Sequence, residues 1–99
     1  AVSLFVLYFL LKVKWIGKPS QLGFILGKLA DLGYIEAPKH NNGEINFTKF
    51  AALVNNTFEV NTTNNTLSKY LNLESEKGSE TVRKFNDNGF DIPHLKTIS

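Results

Sequence analysis

A chain of 99 residues, 42% hydrophobic and with a formal charge of +2, has room for one small domain around one core. The absence of cysteine excludes disulfides, thiolate nucleophiles and zinc–thiolate sites, and fits a reducing, cytoplasmic setting. Lysine and arginine outnumber aspartate and glutamate by only 11 to 9, too small an excess for the broad basic face of a typical nucleic-acid binder. Methionine is also absent and the chain starts at Ala1, which points to a piece of a longer protein.

The first segment, Ala1 to Leu11 (AVSLFVLYFLL), is the most apolar. It is too short for a membrane span, which needs about 20 apolar residues. It also lacks the basic start and small-residue cleavage site of a signal peptide. Only Val2 and Val6 are β-branched, so helix is favoured over strand. A helix apolar on all sides must be covered on all sides, by the core of this domain or by a partner.

Next, Val13, Lys14 and Trp15 alternate as a short strand does, with Val13 and Trp15 facing inward and Lys14 facing water. Gly17 ends that strand. Pro19 suits a first helical position, where its missing N–H has no intrahelical partner to lose. Leu22, Ile25, Leu26, Leu29 and Leu32 then form a helical stripe, and Gly33 closes it as a left-handed cap. Gly23 and Gly27 each cost this helix about 1 kcal/mol relative to alanine. Either they serve a close approach, such as that of the Ala1 to Leu11 segment, or they are merely tolerated. They are not a phosphate loop, because both lie inside the helix and no Lys-Ser/Thr pair follows.

The run PKHNNG is a turn signal centred on Asn42-Gly43, so Tyr34 to Glu36 and Glu44 to Phe47 are predicted to pair as a hairpin, which the Trp15 strand can join. His40 sits in that turn as a solvated residue. A helix from Asn46 or Phe47 buries Phe47, Phe50 and Val54, with Leu53 a further candidate, and Phe58 and Val60 extend the core beyond it. A third helix runs from Thr63 to about Leu73, capped by Thr63 or Asn64 and striped by Leu67, Tyr70 and Leu71. Its other face carries Asn65, Thr66, Ser68, Lys69 and Asn72. That set reads as an ordinary solvated face, favoured by its lack of arginine, or as a recognition face on which asparagine pairs with adenine. Glu74, Glu76 and Glu80 follow in a loop that repels phosphate, then a short helix over Thr81 to Asn86 and a turn at Asn88-Gly89. Phe85, Phe90, Ile92 and Leu95 fold back onto the core, and Pro93 prevents a long helix.

Chemistry-bearing patterns are sparse. The three glutamates solvate a loop better than they make an acid–base pair, no serine is matched with a histidine and an acid, and His40 and His94 lack ligand-spaced companions. No catalytic residue, metal or cofactor is therefore expected. The N-x-Ser/Thr triplets at Asn46, Asn55, Asn61 and Asn64 follow from the abundance of asparagine and threonine, with 11 asparagines in the chain.

The order W-x-G at Trp15 to Gly17, a helix with Leu22 seven residues beyond Trp15, its ending LADLGYI over Leu29 to Ile35, and the Phe50 and Phe58 helix region together resemble the C-terminal half of the RteC family. That family is linked with excision and transfer of conjugative transposons in Bacteroidetes. The resemblance spans roughly Val13 to Phe85 and implies a winged-helix-like, DNA-binding regulatory domain. One departure concerns charge: where such proteins carry several arginines after the Tyr-Leu helix, this chain has Leu73, Glu74, Ser75, Glu76 and Lys77, keeping Arg83 and Lys84 further on.

The expected fold is thus a small helix-rich α+β domain, winged-helix or helix-turn-helix-like, with a two- or three-stranded antiparallel sheet. The expected role is noncatalytic binding of double-stranded DNA in a mobile-element setting. Lys12, Lys14, Lys18, Asn65, Ser68, Lys69, Arg83 and Lys84 would form the contact, the lysines on phosphates and Asn65 on base edges. The alternative is a protein-interaction domain that packs Ala1 to Leu11 on a partner or on a second copy. Neither reading involves a membrane.

Overall fold

The computed structural model describes residues 11–98. The predicted helix at Ala1 to Leu11 therefore lies almost wholly outside the described residues. Strand β1 (Val13–Lys14) leads into α1 (Pro19–Asp31), with Pro19 at its first turn as expected. Gly33, at φ +89°, ends the helix in the left-handed region where a side chain would be strained. Next come α2 (Phe47–Thr57), β2 (Phe58–Glu59), α3 (Asn64–Leu71), α4 (Glu76–Asp87) and the short α5 (Leu95–Ile98).

Three of these helices begin on a side-chain cap. Asn46 Oδ1 accepts from the Lys49 N–H at 3.2 Å, Thr63 Oγ1 from Thr66 at 3.2 Å, and Ser75 Oγ from Gly78 at 2.9 Å. Each satisfies an N–H that has no partner within its helix, at a gain of about 1 kcal/mol.

The main core joins Leu22 of α1, Phe50, Ala51 and Val54 of α2, and Leu67 and Leu71 of α3, with Ala37 beneath the loop. Trp15, Phe47, Phe58 and Val60 pack around it half-buried. Leu53, a candidate for that core, instead faces solvent at 54% exposure. Helix α3 lies innermost and packs against α1, α2 and α4. Gly23 and Gly27 make this possible: a Cβ on Gly23 would press on Tyr70 and one on Gly27 on the Leu71 carbonyl. The two glycines therefore serve the approach of α3 to α1.

The sheet corrects the winged-helix expectation. It has two strands and they are parallel, with Val13 opposite Phe58 and Lys14 opposite Glu59, and the Trp15 N–H extends the pairing to the Glu59 carbonyl at 3.0 Å. The chain between these strands contains α1 and α2, and such a crossover is what a parallel pair requires. The predicted antiparallel hairpin shrinks to one isolated bridge between Lys39 and Ile45. Its first arm is unavailable because the N–H groups of Tyr34 and Ile35 turn back to the Leu29 carbonyl at the end of α1. Val13 also departs from its expected place, being 56% exposed.

The second correction lies after α3. The predicted loop over Glu74 to Glu80 is largely helical, since α4 starts at Glu76 rather than near Thr81. A second, aromatic cluster fastens this helix: Phe24 stacks on Phe85 with ring centroids 4.2 Å apart, and Phe90 meets both edge-on at 5.6 and 4.9 Å. The C-terminal tail folds back on the end of α1, with the Tyr34 hydroxyl donating to the Pro93 carbonyl and the Leu95 N–H to the Leu32 carbonyl, but Leu95, expected on the core, is 39% exposed. Among the described residues no helix is long and apolar enough to cross a membrane.

Candidate nucleic-acid interface

The eight residues predicted to touch DNA fall into separate groups. Lys12 is committed to the fold: its ammonium donates to the Asn55 carbonyl at 3.0 Å near the end of α2. Lys14 is exposed on β1, in register with Glu59. Arg83 is exposed on α4.

On α3, Asn65 and Lys69 stand one turn apart and are both exposed, so they form a narrow stripe. Ser68 does not join them freely. It is half-buried, and its hydroxyl donates to the Asn65 carbonyl at 2.7 Å. Asn72 also turns inward, its Oδ1 accepting from the Glu74 N–H at 3.1 Å. A helix packed on three sides exposes just one further residue, Asn64, whose Oδ1 accepts from Asn55.

Lys18 and Lys84, far apart in sequence, do converge. They line one open groove of about 390 Å³ between the start of α1 and the last turns of α4, together with Ser20, Gln21, Thr81 and Asn88. Lys18 caps α1: its N–H donates to Gln21 Oε1 at 2.8 Å, and its carbonyl accepts from Trp15 Nε1 at 2.8 Å. These two bonds fix its backbone at the edge of the groove. The positive end of the 13-residue α1 dipole opens there as well, and such an end favours anions. Lys84 has a competing acid, Glu80, at 3.8 Å on the same exposed helix face. A solvated pair of that kind is worth little and yields readily to a phosphate.

Sequence reasoning missed Lys77, whose ammonium lies 5.7 Å from the centroid of the Tyr70 ring, within cation–π range. No sequence spacing signals that contact, because it joins two helices. The acids expected to repel phosphate are dispersed: Glu76 lies in the first turn of α4, where it complements the helix dipole, and Glu74 lines a different cleft, at the opposite end of α1.

Fold and site together define a small helix-rich α+β domain with two lysines meeting in a groove at the start of α1. In comparisons with known proteins, the chain matches no family model, no curated protein and no solved structure.

Proposed function

We propose that this chain is a noncatalytic, DNA-binding regulatory module of a mobile-element protein working in the cytoplasm, as its resemblance to the RteC family implies. The groove shared by Lys18 and Lys84 carries the proposal, because it brings two lysines and a helix N-terminus to one opening. These groups hold backbone phosphates, while Asn65 and Lys69 supply the stripe that meets base edges.

Titrating salt against binding to mixed-sequence duplex DNA tests this. Over ~50 to ~200 mM salt, the log–log slope is expected to fall by about two in the Lys18→Ala/Lys84→Ala double variant. Lys12→Ala leaves the slope unchanged, since its ammonium already serves the Asn55 carbonyl. Asn65→Ala shifts sequence preference and not the slope. An absence of binding at the lowest salt, or an unchanged slope in the double variant, would defeat the proposal.

A second reading, as a protein-interaction domain, has its own support. Leu11, Val13 and Ile16 are 78%, 56% and 84% exposed, so a strip of exposed apolar residues follows the Ala1 to Leu11 segment in sequence. Self-association through this strip predicts a concentration-dependent mass in solution that Val13→Lys/Ile16→Lys reduces to that of the monomer. A wild-type chain that stays monomeric at high micromolar concentration would remove it.

A further inference from the structure

At the end of α1 remote from the lysine groove, about 20 Å along the helix, lies a second and larger cleft of about 530 Å³. Four parts of the chain build it: the close of α1, the loop before α2, the first turns of α2, and the stretch that follows α3. Its apolar lining includes Ile45, Phe47 and Leu73, all half-buried. Asp31, Glu44 and Glu74 stand exposed on its rim. Among the described residues the ion pair present is that of Lys84 with Glu80, and none of these three carboxylates has a lysine or arginine within 4.0 Å.

The backbone adds to their field. Helix α1 ends at Asp31 and α3 at Leu71, so two negative dipole ends lie beside the cleft, each with one lysine, Lys28 or Lys69, in its last turn. The N-terminus of α2 is also nearby, but Asn46 already caps it. Among the described residues, no basic one apart from His40 lines the cleft. Three carboxylates on the rim of a partly apolar cleft complement a ligand that carries a cation beside an apolar side chain. The volume suits a ligand the size of two or three side chains.

We infer that this cleft is a docking site for a partner peptide in which arginine or lysine alternates with a large apolar residue. The apolar side chain fills the space beside Phe47 and Leu73, and the cation sits among Asp31, Glu44 and Glu74. This surface is independent of the lysine groove, which attracts the opposite charge. A regulatory module with both would hold nucleic acid at one end of α1 and a basic protein segment at the other.

The test uses a blocked tetrapeptide alternating leucine or phenylalanine with arginine, and a twin with glutamine in place of arginine. Each is titrated into the full isotope-labelled chain and read by amide chemical shifts. The arginine peptide is expected to move the resonances of Asp31, Glu44, Ile45 and Leu73, and to bind about tenfold more tightly than its twin. The nearly isosteric Asp31→Asn/Glu44→Gln/Glu74→Gln variant should lose about tenfold in affinity for the arginine peptide and nothing for the glutamine twin, and the DNA salt slope should be unaltered. Equal binding of the two peptides, or an unchanged affinity in the triple variant, overturns the assignment. Cleft resonances that move with protein concentration alone would make a second copy the occupant. Cleft resonances that move on deleting residues 1–10 would make that segment the occupant, and either result likewise overturns it.

Discussion

Phe24→Ala is expected to lower the stability of the domain by about 4 kcal/mol, as truncation of a fully buried phenylalanine does. Phe24 is 1% exposed, yet it stands apart from the main core and packs on Phe85 and Phe90 instead. Helix α4 is mostly polar, and along it only Gly78 and Thr81 are fully buried, with Val82 and Phe85 half-buried. Removing the Phe24 ring therefore takes away the surface on which α4 and the following turn are seated. A chain of this length has about 5–15 kcal/mol in total, so the loss is a large share of it. Hydrogen exchange should show the effect unevenly, with α4 losing protection first and α2 and α3 retaining theirs. Phe85→Ala, at a half-buried ring, should cost about half as much. A loss under ~1 kcal/mol for Phe24→Ala, or equal loss of protection in every helix, would mean that the aromatic cluster is not a separate support. The lysine groove depends on the same cluster, because Phe85 lines it beside Lys84.

The sequence spoke most clearly where several local signals coincided. Pro19, the leucine stripe and Gly33 agree on one helix, and α1 runs from Pro19 to Asp31. The starts of α2, expected at Asn46 or Phe47, and of α3, expected to be capped by Thr63 or Asn64, were legible for the same reason: a short polar side chain stands just ahead of an apolar helical pattern. Pairing of β1 with β2 was not legible, since each strand has two residues and a pattern so short carries no register. The start of α4 was hidden by Gly78, which reads locally as a helix breaker. Its reason is tertiary: a Cβ there would strike the Asn72 carbonyl, so glycine lets the helix lie close to the chain leaving α3. For the candidate site, exposure of Asn65 and Lys69 followed from the stripe of α3. The meeting of Lys18 with Lys84, the engagement of Lys12 by Asn55 and the assembly of the acidic cleft all depend on how helices pack, which residue spacing does not encode.

Gly27→Ala is the second substitution with a large expected effect, and its sign is set by two opposed contributions. In an isolated helix, alanine in place of glycine adds about 1 kcal/mol of stability. Here the new Cβ would collide with the Leu71 carbonyl and lie 3.2 Å from both the Leu71 carbonyl carbon and Leu73 Cδ2. A backbone group cannot swing aside as the tip of a lysine does, so α3 must move away from α1, and overpacking of that kind costs about 1–3 kcal/mol or more. The net expectation is a loss of about 2 kcal/mol, measured by urea unfolding with an unchanged m value. Gly23→Ala, against the Tyr70 and Leu71 backbone, should lose a similar amount. The pair should lose less than the sum, because one displacement of α3 relieves both collisions. Gly27 also lines the acidic cleft whose wall Leu71 and Leu73 help to build, whereas Gly23 does not. Gly27→Ala should therefore weaken binding of the arginine peptide more than Gly23→Ala at comparable stability. If both variants were instead more stable than the wild type, helix propensity would be deciding, and the contact between α1 and α3 would be looser than these glycines imply.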